Sequence, residues 1–491
     1  MRYILAIDQS TSATKAAILS EEGEQVCSAS LRHRQIYPKP GWVEHDAQEI
    51  YQNVLQTCGQ VLEHFEAQGG GELAAMGISN QRETVVLWDQ AGRPVGNAVV
   101  WQDSRAQSVT DAFTKEQAEL VRSRTGLKLS PLFGGAKIAY LLQGDKALRE
   151  MADAGKLMGG TVDAYLCYRL TGEFKTDYSN ASRTQLMNLE ALAWDEDCLK
   201  LFGIPEEMLP RPVPSDSVFG YTTLEGRLKA PIPVCGVLGD SHAAMFAQGC
   251  HGVGDTKATY GTGSSIMQNT GGALKWVEGI STTMAYACCG KVYYALEGNI
   301  SHAADTVSFL LDLGVLKNAA DSEEMAKALS GNDGVYLVPA FTGLGPPWWD
   351  AHARALICGI SRDTGAGHLA RAALEAIAYQ VEDILGCMAQ AGLRPTQLKT
   401  DGGPTANGFL MQFQADVSQV PVDVADGSNL SLRGAALLAA LGAGVLKDEA
   451  EAAALRHSAG RYAPKADAES AAKWMEGWHG AVQRATLRPG Q

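Results

Sequence analysis

The residues with the clearest chemical potential lie between Val234 and Ser265, in VCGVLGDSHAAMFAQGCHGVGDTKATYGTGSS. The apolar run Val234 to Leu238 reads as a buried strand, and Ala243 to Gln248 has helix-forming composition. Asp240 therefore falls where a strand gives way to a helix, the place where open α/β sheets carry ligand chemistry. Lys257 to Ser265 predicts a strand breaking into a Gly/Thr turn, whose bare amides and hydroxyls suit phosphate. A carboxylate and a phosphate-type loop this close in sequence point to phosphoryl transfer onto a hydroxyl. The plainer alternative makes Asp240 a helix N-cap and Gly261-Thr-Gly263 a hairpin turn.

The first residues carry a second such loop. Strand Tyr3 to Ile7 is followed by Asp8-Gln-Ser-Thr-Ser-Ala-Thr-Lys15 and then by strand Ala16 to Leu19. Thr256 to Gln268 repeats this order of strand, Gly/Thr/Ser turn and strand. Two phosphate-type hairpins, one near the start of each half, predict an internally duplicated fold with nucleotide held between two lobes. No G-x-x-x-x-G-K-[ST] occurs, so the loop is not of Walker type. After strand Ala75 to Ser79, the adjacent Arg82-Glu83 sets a fork of donors beside a pair of acceptors, which suits neighbouring hydroxyls. The alternative is a surface ion pair, which contributes little. Trp101, after the apolar Ala98 to Val100, offers a flat wall. Asp401-Gly-Gly403 ends a strand without side chains, so backbone can approach a nucleotide there.

The elements that must position these groups alternate. Helices are expected from about Gln48 to Ala67, Ala366 to Ala391, Phe409 to Ser418 and Arg433 to Leu446, and one from about Ser301; the chain after Gln483 reads as frayed. This alternation over two halves predicts a two-lobed α/β protein. The division falls near Gly249 to Gly254, giving units 1–250 and 251–491. With 491 residues, 46% of them hydrophobic, sizeable cores can form. The net charge of −14 argues against a nucleic-acid or anionic-membrane partner. Ten cysteines without a C-x-x-C pair read as reduced thiols. Asp8 interrupts the N-terminal apolar run too early for a signal peptide, and Gly434 to Leu446 is too short to span a bilayer. A cytoplasmic protein with a small-molecule substrate is expected.

With these residues in view, the chain resembles the FGGY family of carbohydrate kinases. The resemblance rests on blocks in order along nearly the whole chain: Asp8-Gln9, Ile36 to Asp46, Asn80 to Thr84, Val100 to Asp103, Gly160 to Asp163, Thr176 to Thr184, Thr259 to Gly263, Tyr294 to Gly298, Val338 to Gly345 and Asp401 to Gln414. It implies an actin-like (ribonuclease H-like) two-lobed ATPase fold with nucleotide in the interdomain cleft. It also implies transfer of the ATP γ-phosphoryl group to a polyol or sugar hydroxyl, with Mg²⁺. Asp240 falls on the family's catalytic base and Asp8 on its metal position. Thr11, Ser12, Ala13, Lys15 and Thr262 match phosphate contacts, and Gly403 and Asn407 match the nucleotide side. Arg82, Glu83, Trp101, Leu132, Asp240 and Ser241 match the polyol pocket. Such relatives are commonly dimers or tetramers, so the resemblance implies a homo-oligomer.

Within the family the chain is most similar to the members that phosphorylate glycerol, yet it departs from them at the pocket. Those members usually place Gln where this chain has Ser241, Tyr where it has Leu132, and an aromatic where it has Ser265. Asn299-Ile-Ser-His302 replaces a small apolar run. Each lost hydrogen bond to a substrate hydroxyl costs on the order of 1–3 kcal/mol. The expected substrate is therefore glycerol or a glycerol-like polyol, with a longer four- or five-carbon polyol or ketose (erythritol, xylulose, ribulose) as the alternative and a non-catalytic sensor as a further one. The short segment Tyr221 to Ala230 lacks the Gly-Gly-x-Arg pattern that goes with sugar-bisphosphate feedback, so none is expected.

Overall fold

The computed structural model describes residues 1–427 and 429–488. Two large sheets dominate it. The first has six strands in the order Val218–Thr222, Ile232–Gly239, Glu72–Asn80, Arg2–Gln9, Ala13–Ser20, Gln25–Arg32. The second has seven: Ser281–Cys288, Lys291–Ile300, Ser264–Gly271, Thr256–Tyr260, Leu398–Asp401, Val422–Ala425, Ser458–Tyr462.

The two sheets repeat one plan. In each, a hairpin strand (Arg2–Gln9; Thr256–Tyr260) runs antiparallel to its hairpin partner (Ala13–Ser20; Ser264–Gly271), that partner runs antiparallel to a further strand (Gln25–Arg32; Lys291–Ile300), and on its other side the hairpin strand is joined by a parallel one (Glu72–Asn80; Leu398–Asp401). That parallel strand is in turn parallel to Ile232–Gly239 in the first sheet and Val422–Ala425 in the second, each of which carries an antiparallel edge strand: Val218–Thr222, earlier in the chain, and Ser458–Tyr462, later in it. The second sheet adds Ser281–Cys288 at its edge. The duplication expected from the two hairpins is thus a property of the whole topology. A four-stranded sheet (Glu44–His45, Ala98–Val99, Val85–Asp89, Leu157–Thr161) is inserted in the first half.

Local signals explain most element boundaries. Asp46 caps helix Ala47–Ala67 by accepting from the Gln48 and Glu49 amides, and Ile50, Val54, Val61 and Phe65 bury one face of it. The long helix Ala366–Gln390 and helix Gly408–Ser418 fall within a residue or so of expectation. The C-terminal helix Ala468–Thr486 does not fray at Gln483, because Trp478, Ala481 and Val482 are buried in the core. Residues 489–491 of that segment lie outside the described residues. The helix expected near Ser301 begins only at Asp305, because the strand before it continues to Ile300 and the His302 ring is bonded to Asp305 and Thr342.

Two helices cross between the sheets, and their contact fixes the site. Helix Asp240–Ala247 packs against helix Leu430–Gly442, which comes from the second half yet also packs on the first sheet. A Cβ at Gly434 would run into the Ala243 carbonyl. Gly434→Ala is expected to lower stability by about 1–3 kcal/mol, the usual cost of overpacking, and to reduce activity by displacing Asp240. Gly386→Ala, in open space on the long helix, should instead stabilise by about 0.5–1 kcal/mol. Thermal melting of both variants checks this pair of opposite signs.

Candidate active site

Register brings the acidic groups together. Along the parallel strands Asp8 lies beside Ser79, Ser79 beside Leu238, and Asn80 beside Gly239. Asp8 and Asp240 therefore stand at the carboxyl ends of the two parallel strands that flank Glu72–Asn80, where ligand sites of open α/β sheets form. Asp240 is the first residue of its helix; Gly239 takes the N-cap position and no side chain caps there. One Asp240 oxygen accepts from the Ser241 amide at 2.6 Å and faces Arg82 Nε at 3.3 Å. The side chain remains 37% exposed to the cleft. The surrounding protein holds its carboxyl above the ordinary carboxylate range, and Arg82 pulls it part of the way back. An N-cap role does not account for a half-open carboxylate facing a buried guanidinium.

Asp8 is buried, accepts from the Ser79 hydroxyl at 2.8 Å on one oxygen, and is pushed up to about 6 by burial, an effect that the Asp240 charge reinforces. Two like charges crowded at one edge suit a hard divalent cation. Mg²⁺ is commonly held by one or two carboxylates with the remaining ligands from phosphate and water. Among the described residues no group of three His, Cys, Asp or Glu could hold a metal unaided, so any such ion would need ligands from a bound phosphate.

Arg82 and Glu83 do not pair with each other, as a surface ion pair would. Both are buried, and Glu83 adopts a left-handed backbone (φ 61°) that turns the two side chains apart. Arg82 Nη1 meets Glu297 at 2.7 Å, Glu83 meets Arg183 at 2.8 Å, and Arg183 meets Glu297 at 2.6 Å. Burial alone would raise the Glu297 carboxyl, but Arg183 and Arg82 hold it well below its usual range. Glu297 comes from the second sheet and the arginines from the first half, so this network ties the lobes together. His242 is buried beside it and kept neutral by burial and by Arg82. Ser182 and Thr283 add a hydroxyl contact between the lobes at 2.9 Å.

The remaining predicted residues fall into three places. At the first hairpin, the Trp101 indole donates to Thr11 Oγ1 at 3.0 Å, Lys15 donates to Asn429 at 3.0 Å, Ser12 is exposed and Ala13 is buried. At the second, Thr262 is exposed at the tip and its carbonyl accepts from the Ala303 amide. Gly403 and Asn407 line a cavity of about 390 Å³ walled by Ala304, Val307, Leu374, Ile377 and Leu410. Gly402, at φ 100°, lies so close to the Tyr260 carbonyl that a Cβ would collide; part of the glycine requirement in Asp-Gly-Gly is thus internal packing. Leu132 is half-buried in the loop before helix Gly134–Gly144; the neighbouring Phe133 ring lies 5.0 Å from the Arg183 guanidinium. Ser241 is half-buried beside Asp240.

Residue parity places the substituted positions. Ser265 pairs with Asn299 and Met267 with Glu297, so Ser265, Asn299 and Glu297 share one face of the second sheet, turned toward Arg82. His302 is engaged by Asp305 at 2.5 Å and Thr342 at 2.8 Å and takes no open position. Sequence reasoning missed Arg183, Glu297, His242 and Lys257 as members of this site. For Lys257 a signal existed: a lysine two residues before Thr259 in the strand that leads into the Gly/Thr turn.

Comparison with known proteins agrees with this geometry. The N-terminal domain of the FGGY family of carbohydrate kinases matches residues 3–247 and its C-terminal domain residues 256–443. Glycerol kinase 1 of Thermotoga maritima is 44% identical over 489 residues, covering 98% of this chain and 99% of the relative. The glycerol kinase of Thermococcus onnurineus is 42% identical over 486 residues, covering 99% and 98%. Among solved structures, Plasmodium falciparum glycerol kinase with ADP superposes with a TM-score of 0.94 at 33% identity over 99% of both chains. A ligand-bound xylulose kinase of Lactobacillus acidophilus gives 0.89 at 21% identity over 99% of this chain and 98% of that one, a likeness of fold alone. The duplicated sheets, the two hairpins and the carboxylate between them are those of the actin-like two-domain fold, and the chain belongs to the FGGY family of carbohydrate kinases.

Proposed function

We propose that this protein transfers the γ-phosphoryl group of ATP to a hydroxyl of glycerol or a closely related polyol. The observation that carries this reading is Asp240, a partly open carboxylate set against buried Arg82 between two hydroxyl-rich hairpins. The full-length similarity to glycerol kinases supports it.

In this reading the units 1–250 and 251–491 carry the acceptor and the nucleotide, respectively. Gly403 and Asn407 hold the base side of ATP in the apolar cavity beside them. Thr11, Ser12, Ala13 and Lys15 on one hairpin, and Thr262 on the other, meet the phosphates. Arg82, Glu83, Trp101, Leu132 and Ser241 surround the acceptor. Asp240 accepts the proton of the attacking hydroxyl and aims its oxygen at phosphorus, which suits a transfer governed by positioning and charge. Asp8 would hold Mg²⁺, which when bound neutralises phosphate charge. Closure of the lobes around the Glu297 network excludes water from the phosphoryl group. The described cysteines are all free, and no described helix is long and apolar enough to cross a membrane; a reducing, cytoplasmic setting fits this chemistry.

The test is polyol-dependent ADP release with Mg-ATP across glycerol, erythritol, threitol, xylitol, dihydroxyacetone, erythrulose, xylulose and ribulose. The highest kcat/KM with glycerol or a linear polyol supports the reading; release independent of every acceptor contradicts it. The position of Ser265 on the cleft face favours a second reading, in which a four-carbon polyol fills the space that an aromatic would occupy. On that reading Ser265→Phe shifts the glycerol-to-erythritol preference toward glycerol by about tenfold, equivalent to ~1.4 kcal/mol. An unchanged ratio removes Ser265 from the specificity argument.

A further inference from the structure

Lys257 is fully buried, on strand Thr256–Tyr260 beneath the cleft. It pairs with Met267, and Thr259 pairs with Ser265, so its side chain lies on the same sheet face as Thr259, Ser265, Glu297 and Asn299. The side chain runs along that face toward the turn. Its Nζ donates to Thr259 Oγ1 at 3.1 Å and to Ser265 Oγ at 3.2 Å. Those two residues face each other just before the Gly261–Gly263 tip. The ammonium thus sits at the base of the second phosphate-type hairpin, within electrostatic reach of Asp240.

Among the described residues no carboxylate contacts it directly; Asp401, the acid that acts on it most strongly, reaches it through the Thr259 hydroxyl. Asp240 faces Arg82, Glu297 faces Arg82 and Arg183, and Asp401 accepts from Gln248 and Thr259. An ammonium carries three donors; two go to neutral hydroxyls. A desolvated cation without a paired anion is costly to maintain, so its natural partner is an anion that arrives with a ligand. Arg82 and Arg183 are tied to carboxylates, whereas Lys15 on the first hairpin and Lys257 at the second touch only neutral groups, so each hairpin keeps a cation that can meet a phosphate.

We propose that Lys257 is a catalytic residue that donates its remaining N–H to a non-bridging oxygen of the γ-phosphoryl group during transfer. This inference rests on the kinase reading above. In the step, the bond between γ-phosphorus and the β,γ-bridging oxygen breaks, and its electron pair leaves with ADP. The acceptor oxygen bonds to phosphorus and its proton passes to the Asp240 carboxylate. Lys257 keeps its proton throughout and contributes a fixed positive charge, realised most fully as the phosphoryl group moves toward the acceptor.

The test uses the full-length enzyme and the variants Lys257→Met and Lys257→Arg, with ADP binding and melting temperature as controls of the fold. Lys257→Met should lower kcat by about 10²-fold or more, as for loss of one preorganised charge donor, with acceptor KM and ADP affinity little changed. Lys257→Arg should recover part of the loss. A pH profile adds a readout that a structural role would not move. Burial pushes the Lys257 ammonium down to about 8 against the upward pull of Asp401, Glu297 and Asp240; Arg82 pushes the same way as burial. His242 and Cys250 also face it. Above that pH the donor is neutral, so wild-type kcat/KM should fall through an alkaline limb near 8. In kcat the limb should lie higher, because bound triphosphate favours the charged form. In Lys257→Arg it should disappear.

Retained kcat in Lys257→Met overturns the inference. So does a loss confined to acceptor KM, which would assign Lys257 to the polyol, or a joint loss of ADP affinity and melting temperature, which would make it structural. Asp240→Asn and the wild type separate the levels of argument. If that variant is inactive while Lys257→Met is not, only the Lys257 assignment fails; if Asp240→Asn stays active, the base assignment fails; and if the wild type shows no acceptor-dependent ADP release, the kinase reading itself fails.

Discussion

Asp240→Asn should lower kcat by about 10²–10⁴-fold, the range for a lost general base, while ADP affinity stays near that of the wild type. The substitution keeps shape and the Ser241 amide contact but removes the proton acceptor and the charge facing Arg82. Because the protein holds this carboxyl above its ordinary value, the charged form is on balance disfavoured in the fold. The sign for stability follows: a group with a raised folded-state pKa binds its proton more tightly folded than unfolded, so its charge weakens the fold at neutral pH. The inactive variant should therefore melt at or above the wild-type temperature. Wild-type kcat/KM should also fall on the acid side as pH drops through this raised value. Near-normal turnover in Asp240→Asn, or inactivity accompanied by loss of ADP binding and melting temperature, contradicts the base assignment.

Glu297→Ala should have the largest effect on stability. Glu297 is buried and is the carboxylate shared by Arg82 and Arg183, so its removal leaves Arg82 with Asp240 alone and Arg183 with Glu83 alone, both beside neutral His242. Breaking a buried ion network from one side costs about 3–5 kcal/mol, visible as a sharp drop in melting temperature. Freed Arg82 should also hold the acceptor poorly and raise its KM. Glu297→Gln keeps the shape and should fall between wild type and Ala. The acid dependence distinguishes charge from packing. Glu297 has a depressed folded-state pKa, so its contribution is present above its ordinary value of 4.5 and is lost as pH falls below it. Wild type should lose stability in that acid range more steeply than Glu297→Gln. Equal melting of all three proteins at neutral pH would show that the network does not hold the lobes.

What the sequence made legible was whatever depends on local order. Asp240 could be placed because an apolar run and a helix-forming run meet at it, and the duplication because each half opens with the same hairpin. The long helices announced themselves through apolar residues at helical spacing. The relation of Arg82 to Glu83 was not legible, because the partner that decides it, Glu297, is 215 residues away and on the other lobe. Adjacent residues of opposite charge read as a pair until a left-handed turn at Glu83 separates them. The delayed helix after Ile300 has the same origin: His302 is engaged by Thr342, 40 residues on. Lys257 illustrates the third kind of miss. Its strand was foreseen, but its burial against the Thr259 and Ser265 hydroxyls depends on the register of three strands together.

The central claim is transfer between ATP and a polyol, and following the phosphorus tests it most directly. Wild-type protein, Mg²⁺ and ATP radiolabelled at the γ-phosphorus would be incubated with glycerol or erythritol and the products separated by ion exchange. The account predicts label in a polyol monophosphate, formed in step with ADP and absent with Asp240→Asn. Label that remains in ATP, or that appears only as inorganic phosphate whichever acceptor is present, would contradict it.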